Sequence, residues 1–369
     1  DVGYLVRVSP KGFTAPAVPD FGRTPEGQLL RLLASPSHRT RLAAQRALLR
    51  QPETATMTSG LLALAGDRSK PLAPRVAALY ALSQRRFGQP ADPAVAALAS
   101  DPALQPYVVR ALADAKPAPP ALFASALGST DARTRNEAIQ GVVRQSLKEL
   151  APRVAILLGD ADPVVAHTAH RGLAQLEAYD VCFAILDSTK ATPAHRAGAL
   201  RALQLMPLPA VTDWLIARLG KDTDAERRRG LISALCRLHS VEGAWQGNSW
   251  GTRPNTGSPL YQPAPWADTP KVAAALKGLL ARASAEEAGF LVAAMSRNQI
   301  KADDALERLI ALADKDPAMA ARAIEQMAPL EHIPPAGIPL LIRAAQDPAT
   351  KPAVRAQAVV ALGKVDRPE

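Results

Sequence analysis

The residues of this chain that could do chemistry are few, and two histidines come first. His167 and His170 stand three positions apart in the segment VVAHTAHRGL, so a helix would place both imidazoles on one face. They could bind a metal with Asp160 or His195 as a third ligand, but neither stands at a fixed local spacing. A hydrogen-bonded histidine in the core accounts for the pattern better than a metal ligand does. We therefore predict no metal site and no cofactor.

Two dipeptides carry residue types that occur in the sites of enzymes. Asp213-Trp214 resembles the aspartate and tryptophan of helical-repeat DNA glycosylases, but the predicted helices around it lack further aromatic residues to hold DNA. Glu331-His332 resembles the histidine–glutamate motifs of di-iron helical-repeat hydroxylases. Those motifs occur several times in register, whereas this chain has one pair in reversed order. The sequence thus indicates a protein that is not an enzyme and has no catalytic residue.

An aromatic segment rich in turn residues runs from 244 to 266 and reads AWQGNSWGTRPNTGSPLYQPAPW. Its glycines and prolines exclude a continuous helix, whereas its large aromatic side chains favour burial over disorder. We expect residues 241–268 to form an ordered loop. Its candidate binding residues are Trp245, Trp250, Arg253, Tyr261 and Trp266.

Two roles are open for this loop. Either it seals helices that are exposed where a repeat is interrupted, or it binds a partner domain or a sugar ring through its aromatic residues. In both cases we expect Trp250 and Trp266 to pack on the helices and to hold Arg253. Trp245 and Tyr261 are then the residues that could meet a partner.

The elements that must position these residues follow from a repeat. An apolar residue preceded by alanines recurs every 30 to 35 residues, with one gap of 60 between Leu235 and Met295. The ten repeated positions are Leu48, Leu82, Leu112, Val142, Leu173, Leu203, Leu235, Met295, Met327 and Leu362. Small or apolar residues three and four positions earlier complete one stripe of a helix. A period of this length without strand alternation predicts stacked helix pairs.

Prolines mark the starts of several of these helices. Five of the repeated positions have a proline ten residues earlier: Pro102, Pro163, Pro193, Pro317 and Pro352. The first four follow an aspartate or a threonine, whose side-chain oxygen can cap the helix. Each such helix follows a shorter one, so the sequence predicts ten helix pairs between residues 24 and 365.

Six arginines stand seven positions before a repeated residue, and we call them the arginine ladder. They are Arg41, Arg75, Arg135, Arg196, Arg228 and Arg355. A row of guanidinium groups could bind the phosphates or sulfates of an anionic polymer. We favour a structural role, in which each arginine bonds an aspartate or the carbonyl groups at a helix end of its own or the next pair.

The composition leaves the class of partner open. A net charge of +10 permits nucleic acid, an acidic polysaccharide or another anionic surface as a partner. No apolar run reaches the roughly 18 residues that a membrane-spanning helix needs, so none is predicted. Cys182 and Cys236 form no CxxC motif and are interpreted as buried thiols. The sequence begins at Asp1, which indicates a processed end or the edge of a longer protein.

Two resemblances to known families rest on these segments. The helix-pair pattern of residues 24–365 resembles HEAT repeats, which belong to the armadillo-like solenoids. The segment WGTRPNTGSPLYQPAPW resembles a part of large secreted proteins of planctomycetes and verrucomicrobia, the membrane-bound dehydrogenase or haem-binding proteins of PVC bacteria. The start, GYLVRVSPKG, resembles the last propeller strand of the same family.

The second resemblance implies a setting but no redox site. It rests on Trp250, Arg253, Tyr261 and Trp266 with their neighbours, and Asn255 replaces the aspartate of the family pattern. Such proteins join a β-propeller, a HEAT region and a c-type cytochrome domain, which implies a periplasmic or extracellular location. This sequence contains no CxxCH motif for haem attachment, so any redox activity would belong to other domains.

These observations predict four regions and one fold. Residues 1–23 form an extended segment, either a remnant of a propeller strand or a linker. Residues 24–240 form repeats 1–7, residues 241–268 the loop and residues 269–365 repeats 8–10. The predicted fold is an all-α, right-handed solenoid of about ten HEAT-like helix pairs with one non-helical aromatic insertion.

The function predicted from this fold is a non-enzymatic scaffold or interaction module, a segment of an exported multidomain redox-type protein. Its partner would be a protein or a neighbouring domain. The alternative is a protein that binds nucleic acid or a sulfated polysaccharide through a concave face lined by the arginine ladder. The sequence does not indicate the oligomeric state.

Overall fold

The computed structural model describes residues 3, 6, 8–14, 17–247, 258–300, 303–313 and 317–365. Within these residues twenty α-helices follow one another, and they form ten successive pairs. Each repeated apolar residue lies on the second helix of its pair, as the period requires. The prediction of an all-α fold with ten helix pairs is therefore confirmed. The chain divides into two compact units, Asp1–Val154 and Ala155–Glu369.

The first unit contains four complete helix pairs. Each second helix packs on the first helix of its own pair, and within the unit the second helices of successive pairs pack on one another. In chain order the helices are α1 (Glu26–Leu33), α2 (His38–Arg50), α3 (Ala55–Gly66), α4 (Leu72–Arg85), α5 (Pro93–Ala97), α6 (Gln105–Leu112), α7 (Pro120–Ala126) and α8 (Ala132–Arg144). A 3-10 helix at Leu98–Ser100 extends α5, and another at Lys148–Leu150 precedes α9.

In the second unit, too, the second helices of successive pairs pack on one another. Helix α9 (Ala151–Ile156) spans the division and ends in a 3-10 helix, Leu157–Gly159. The following helices are α10 (Pro163–Gln175), α11 (Tyr179–Asp187), α12 (Pro193–Leu203), α13 (Pro209–Leu219), α14 (Ala225–Arg237), α15 (Thr269–Arg282), α16 (Ala285–Arg297), α17 (Asp303–Ala313), α18 (Pro317–Met327), α19 (Ile338–Gln346) and α20 (Pro352–Leu362). A 3-10 helix at Pro335–Gly337 leads into α19.

Side-chain caps fix many of the helix starts. Asp162 accepts a hydrogen bond from the backbone N–H of Val164 at 2.8 Å, and Thr192 accepts one from that of His195 at 3.3 Å. Both caps stand directly before a proline at the first helical position, where the missing N–H costs nothing. These two starts, and those of α18 and α20 at their prolines, lie where the sequence predicts them.

One predicted helix start is wrong. Helix α6 begins at Gln105 and not at Pro102, and residues 102–104 form a turn. The reason is Pro106, which in a helix starting at Pro102 would stand at the fifth position and remove an internal hydrogen bond. With the later start, Pro106 falls in the first turn, where it is tolerated. Asp101 accepts the N–H of Ala103 in this turn at 3.1 Å with one carboxylate oxygen and bonds Arg75 with the other.

The repeated apolar residues form the core of the units. Nine of the ten are buried, and Leu362 is partly exposed. Glycine occurs where helices approach most closely: a Cβ on Gly141 would lie 2.2 Å from the ring of Phe123, and one on Gly230 would lie 2.6 Å from Leu200. The absence of a side chain at these two glycines therefore permits the close approach of the helices.

The segments outside the helices are short of regular structure. Residues 3, 6, 8–14 and 17–23 contain neither helix nor strand, and Phe13 donates its N–H to the Pro10 carbonyl in a turn. Among the described residues, the only sheet pairs β1 (Val241–Glu242) with β2 (Pro263–Ala264) in antiparallel register. This hairpin lies between α14 and α15, where the repeat is interrupted.

Candidate functional site

The aromatic insertion begins and ends at one small antiparallel stem. Val241 pairs with Ala264 and Glu242 with Pro263, and Gly243 donates its N–H to the Gln262 carbonyl at 2.7 Å. The Glu242 carboxylate adds three contacts across the stem: it accepts from the N–H of Tyr261 at 3.1 Å with both oxygens and from that of Gln262 at 2.7 Å. The stem therefore holds the two ends of the insertion together.

Trp266 attaches the insertion to the end of α14. Its indole Nε1–H donates to the Leu238 carbonyl at 2.7 Å, which satisfies one of the acceptors that a helix end leaves free. Its backbone N–H donates to Thr269 Oγ1 at 2.9 Å, and that hydroxyl donates to the His239 carbonyl at 2.7 Å. The side chain of Trp266 is half-buried. A polar network thus links the insertion to α14 and α15.

Asp268 extends this network to α13. Its buried carboxylate accepts a hydrogen bond from the hydroxyl of Thr212, which is itself fully buried, and an ion pair from Lys271 Nζ at 3.0 Å. The Thr212 hydroxyl and then the Lys271 ammonium hold the pKa of Asp268 below its usual value of 3.8. Lys271 also bonds Asp213 at 2.9 Å. These contacts fix the start of α15 against the preceding pair.

The five predicted residues of the insertion have different surroundings. Trp266 packs at the helix end, Tyr261 is half-buried, and Trp245 is 64% exposed. Trp250 and Arg253 lie outside the described residues, so their expected packing stays a prediction. The contacts that anchor the insertion come from Trp266, Glu242 and Asp268, of which only the tryptophan is a residue the sequence singles out.

The arginine ladder lies against helix ends. Five of its six members donate to carbonyl groups at or just after the end of the first helix of their own pair. Arg41, for example, bonds the Ser35 and Pro36 carbonyls, both at 2.8 Å. Arg355 is partly exposed, and within the described residues its guanidinium has no hydrogen bond. This geometry is the one that a structural role requires.

Arg75 and Arg228 also reach a carboxylate of the following helix pair. Arg75 is 5% exposed and bonds Asp101 at 2.5 Å, besides donating to the Ala65 carbonyl. The bond from Arg75 lowers the pKa of Asp101. Arg228 bonds Glu287 at 2.6 Å as well as the Leu219 carbonyl. These guanidinium groups connect neighbouring repeats and are occupied by the protein itself.

The histidine pair sits on α10 without the surroundings of a metal centre. The rings of His167 and His170 meet edge to face, with centroids 4.7 Å apart, and His170 is buried. Burial, then the neighbouring His167, lowers the pKa of His170, while a hydrogen bond to the Ala166 carbonyl opposes this shift. Within the described residues no group of three or more His, Cys, Asp or Glu side chains could hold a metal ion.

The remaining candidates from the sequence are separated from one another. Trp214 stacks on Phe183 with centroids 4.4 Å apart and an angle of 5° between the rings, and Asp213 bonds Lys271. Glu331 and His332 are exposed in a turn. Burial raises the pKa of both Cys182 and Cys236 to about 12, so neither thiol ionises near neutral pH.

Comparisons with known proteins support the repeat architecture. A family model for HEAT repeats matches residues 150–236 and 303–369. A search of curated proteins finds no match to this chain. Within the described part of the chain, no helix combines the length and apolar character needed to cross a membrane.

Similar solved structures include three of one karyopherin. Kap121p bound to Pho4p has a TM-score of 0.56 and 14% identity, over 91% of this chain and 41% of that one. Kap121p bound to Nup53p has a TM-score of 0.56 and 15% identity, over 91% of this chain and 41% of that one. The karyopherin Kap121p bound to the SUMO protease Ulp1p has a TM-score of 0.55 and 14% identity, over 92% of this chain and 41% of that one. This chain thus spans about two fifths of their length, and the likeness concerns the fold. The chain is an all-α solenoid that contains HEAT repeats.

Proposed function

We propose that this chain is a non-enzymatic scaffold that binds a protein partner through its aromatic insertion. The observation that carries the proposal is the stem, which presents Trp245 and Tyr261 next to a segment fixed to α14 and α15. Trp245 is 64% exposed, and the Tyr261 backbone is bonded by Glu242. Large aromatic side chains on a rigid support are the usual centres of protein interfaces.

The arginine ladder argues for a protein partner over an anionic polymer. Five of its guanidinium groups donate to carbonyls of the chain itself, and two of these also bond carboxylates. A phosphate or sulfate would have to replace these bonds. The similar Kap121p structures are complexes with proteins, which agrees with a scaffold role for this kind of fold.

We further propose that the chain is the HEAT region of an exported multidomain protein of the PVC type, located in the periplasm or outside the cell. The support is the resemblance of residues 250–266 to a segment of that family. The partner is then a neighbouring domain of the same protein. Reading the coding sequence on both sides for a β-propeller and a CxxCH motif tests this assignment, and a gene without either contradicts it.

A binding experiment tests the scaffold role. A neighbouring domain is purified and titrated with the chain and with a Trp245→Ala/Tyr261→Ala double variant. We expect the double variant to bind at least about tenfold more weakly, because hot-spot aromatics dominate interface energies. Val164→Ala is the matched control, since Val164 is 60% exposed on α10 and lies outside the insertion. Equal affinities for all three proteins would contradict the role of the insertion.

The same material decides the polymer alternative. Heparin and duplex DNA are titrated at roughly 50 and 200 mM salt, a range over which phosphate-dominated binding falls by orders of magnitude. We expect neither polymer to bind the chain appreciably at the higher, near-physiological salt concentration. Tight binding that collapses with salt, together with no effect of the double variant, would replace the scaffold proposal by the polymer one.

A further inference from the structure

A cleft in the second unit is lined by Arg196, a member of the arginine ladder. It has a volume of about 350 Å³ and is lined by residues of α12, α13 and α14, of the loop before α14, and by Leu186 of α11. This volume falls at the small end of the roughly 300–1,000 Å³ that ligand pockets have. Arg196 and Trp214 line it together with the apolar side chains of Leu186, Leu200 and Leu231.

Arg196 differs in its bonding partners from Arg75 and Arg228, the ladder residues described above that reach the next helix pair. Arg75 and Arg228 each bond a carboxylate of the following helix pair, Asp101 and Glu287 respectively. Arg196 donates through one terminal nitrogen to the Ser188 carbonyl at 2.9 Å, and its Nε is buried without a hydrogen-bond partner in the described part of the chain. The guanidinium of Arg196 therefore lacks the carboxylate partner that Arg75 and Arg228 have.

Three acidic residues line the cleft, Asp222, Asp224 and Glu226, and the buried one of them is bound by other arginines. Asp222 lines the same cleft, but its side chain is 2% exposed and bonds Arg227 at 3.1 Å and Arg218 at 3.3 Å. Burial opposes ionisation of Asp222, yet the Asp224 N–H and the Arg227 guanidinium outweigh it and keep its pKa low. Two arginines thus neutralise Asp222, and an open space remains beside Arg196.

Trp214 gives the cleft an aromatic surface whose orientation is fixed. Trp214 stacks on Phe183 with nearly parallel rings, which holds the indole in place. The Arg218 guanidinium lies 5.9 Å from the centre of the Trp214 ring. An apolar group that enters the cleft would contact the indole and the neighbouring leucines, and its burial would contribute to binding.

We propose that this cleft binds a compact apolar group that carries a carboxylate, with the carboxylate on Arg196 and the apolar body against Trp214. The carboxylate supplies the partner that the ladder lacks at this position, and a charge-assisted bond to a guanidinium is among the stronger hydrogen bonds. A free acyl amino acid and the C-terminal residue of a peptide share this chemistry. The cleft shares no residue with the aromatic insertion, so this proposal and the scaffold proposal stand or fall separately.

The test uses two probes that differ in one charge. N-acetyl-phenylalanine carries a free carboxylate, and N-acetyl-phenylalaninamide has nearly the same shape without it. Each is titrated into the full chain, with calorimetry and tryptophan fluorescence as readouts. We expect the acid to bind about ten- to a hundredfold more tightly than the amide, because only the acid forms the charged bond. Equal affinities, or no binding of the acid in the millimolar range, would overturn the proposal.

Three variants locate the site. Arg196→Gln should lower the affinity for N-acetyl-phenylalanine at least about tenfold. Arg41→Gln is the matched control, because Arg41 has the same place in the repeat and bonds two carbonyls in the other unit, and its affinity should stay unchanged. Ala197→Phe keeps Arg196 but fills the cleft from an exposed position, and it should abolish binding. Undiminished binding by Ala197→Phe would overturn the proposal even if Arg196→Gln does not fold.

A longer probe distinguishes the two sources of the carboxylate. An acetylated tetrapeptide that ends in phenylalanine with a free carboxylate is compared with N-acetyl-phenylalanine. Similar or tighter binding of the peptide supports the site and identifies a peptide C terminus as its ligand. Binding of the acyl amino acid alone supports the site with a free small acid as its ligand.

Discussion

Replacing Trp266 separates the two ways in which this residue holds the insertion. Trp266→Phe removes the indole N–H that donates to the Leu238 carbonyl at 2.7 Å and keeps most of the aromatic surface. A typical hydrogen bond contributes about 1 kcal/mol, and the unsatisfied carbonyl at the helix end adds to the loss, so we expect a cost of about 1–2 kcal/mol. Trp266→Ala also removes the packing. A fully buried tryptophan would cost about 3–5 kcal/mol, and for this half-buried one we expect about 2–3 kcal/mol.

Urea denaturation followed by circular dichroism gives the free energy of unfolding for these variants. Because arrays of repeats can unfold in steps, hydrogen exchange of the α14 and α15 amides supplies the local value. Trp245→Ala is the matched control: Trp245 is 64% exposed in the same insertion, and its loss should change stability by less than about 0.5 kcal/mol. If Trp266→Ala costs no more than Trp245→Ala, the indole does not anchor the insertion and the reasoning from its hydrogen bond is refuted.

Three further outcomes follow from the same geometry. Arg75→Ala breaks a buried ion pair with Asp101 and should lower the free energy of unfolding by about 2–3 kcal/mol. Arg355→Ala is the control and should change the free energy of unfolding by less than about 0.5 kcal/mol. Equal losses for the two variants in urea titrations would contradict a structural role of the arginine ladder. Because the pKa of His170 is lowered in the folded protein, the unfolded chain takes up a proton first, and the stability falls as the pH drops below 6.5. His170→Leu should reduce the fall in melting temperature between pH 7.5 and 5.5. The same fall in the variant and in the parent protein would disprove this prediction. Asp268 has a lowered pKa and therefore stabilises the fold above pH 3.8, and this contribution is lost as the pH falls through the folded-state pKa. Asp268→Asn should have a lower melting temperature than the parent protein at pH 7, and the difference should narrow at pH 3. The same difference at both pH values would argue against the Thr212 and Lys271 contacts.

The helix pairs could be predicted from the sequence because their signals are local. The apolar stripe, the caps at Asp162 and Thr192 and the prolines that follow them all act within one helix. The failure at Pro102 is local as well, since Pro106 is four positions away and its effect on a helix is known. Fold class and repeat number therefore needed no information about distant contacts.

The stem of the insertion could not be predicted in this way. Strands of two residues are too short to show alternation, and Pro263 in β2 is a residue that argues against a strand. Glu242 acquires its role only when the chain returns at Tyr261, nineteen positions later. Asp268 meets Thr212 across 56 positions. Nothing in the local pattern marks these partners, so Glu242 and Asp268 are found as anchoring residues only in the structure, whereas Trp266 is predicted from the sequence.

The unfilled position of the ladder has a similar origin. The sequence shows Arg196 in register with Arg75 and Arg228, and it shows acidic residues in the next pair. Whether Asp222 pairs with Arg196 or with Arg218 and Arg227 depends on competition among three cations in one unit. The outcome depends on the distances from the Asp222 carboxylate to the three guanidinium groups, and a repeat pattern does not specify these distances.

The stem at β1 and β2 also makes the insertion exchangeable. Because Val241 pairs with Ala264 and Gly243 bonds Gln262, the chain leaves the helical array and returns to it at one place. The cost of closing a flexible loop grows only with the logarithm of its length, by about 0.6 kcal/mol for each doubling. Segments of other lengths and sequences could therefore replace the residues between the stem strands while α14 and α15 keep their register. This site is the natural place to graft a new binding loop, or for evolution to change one, without redesigning the repeats.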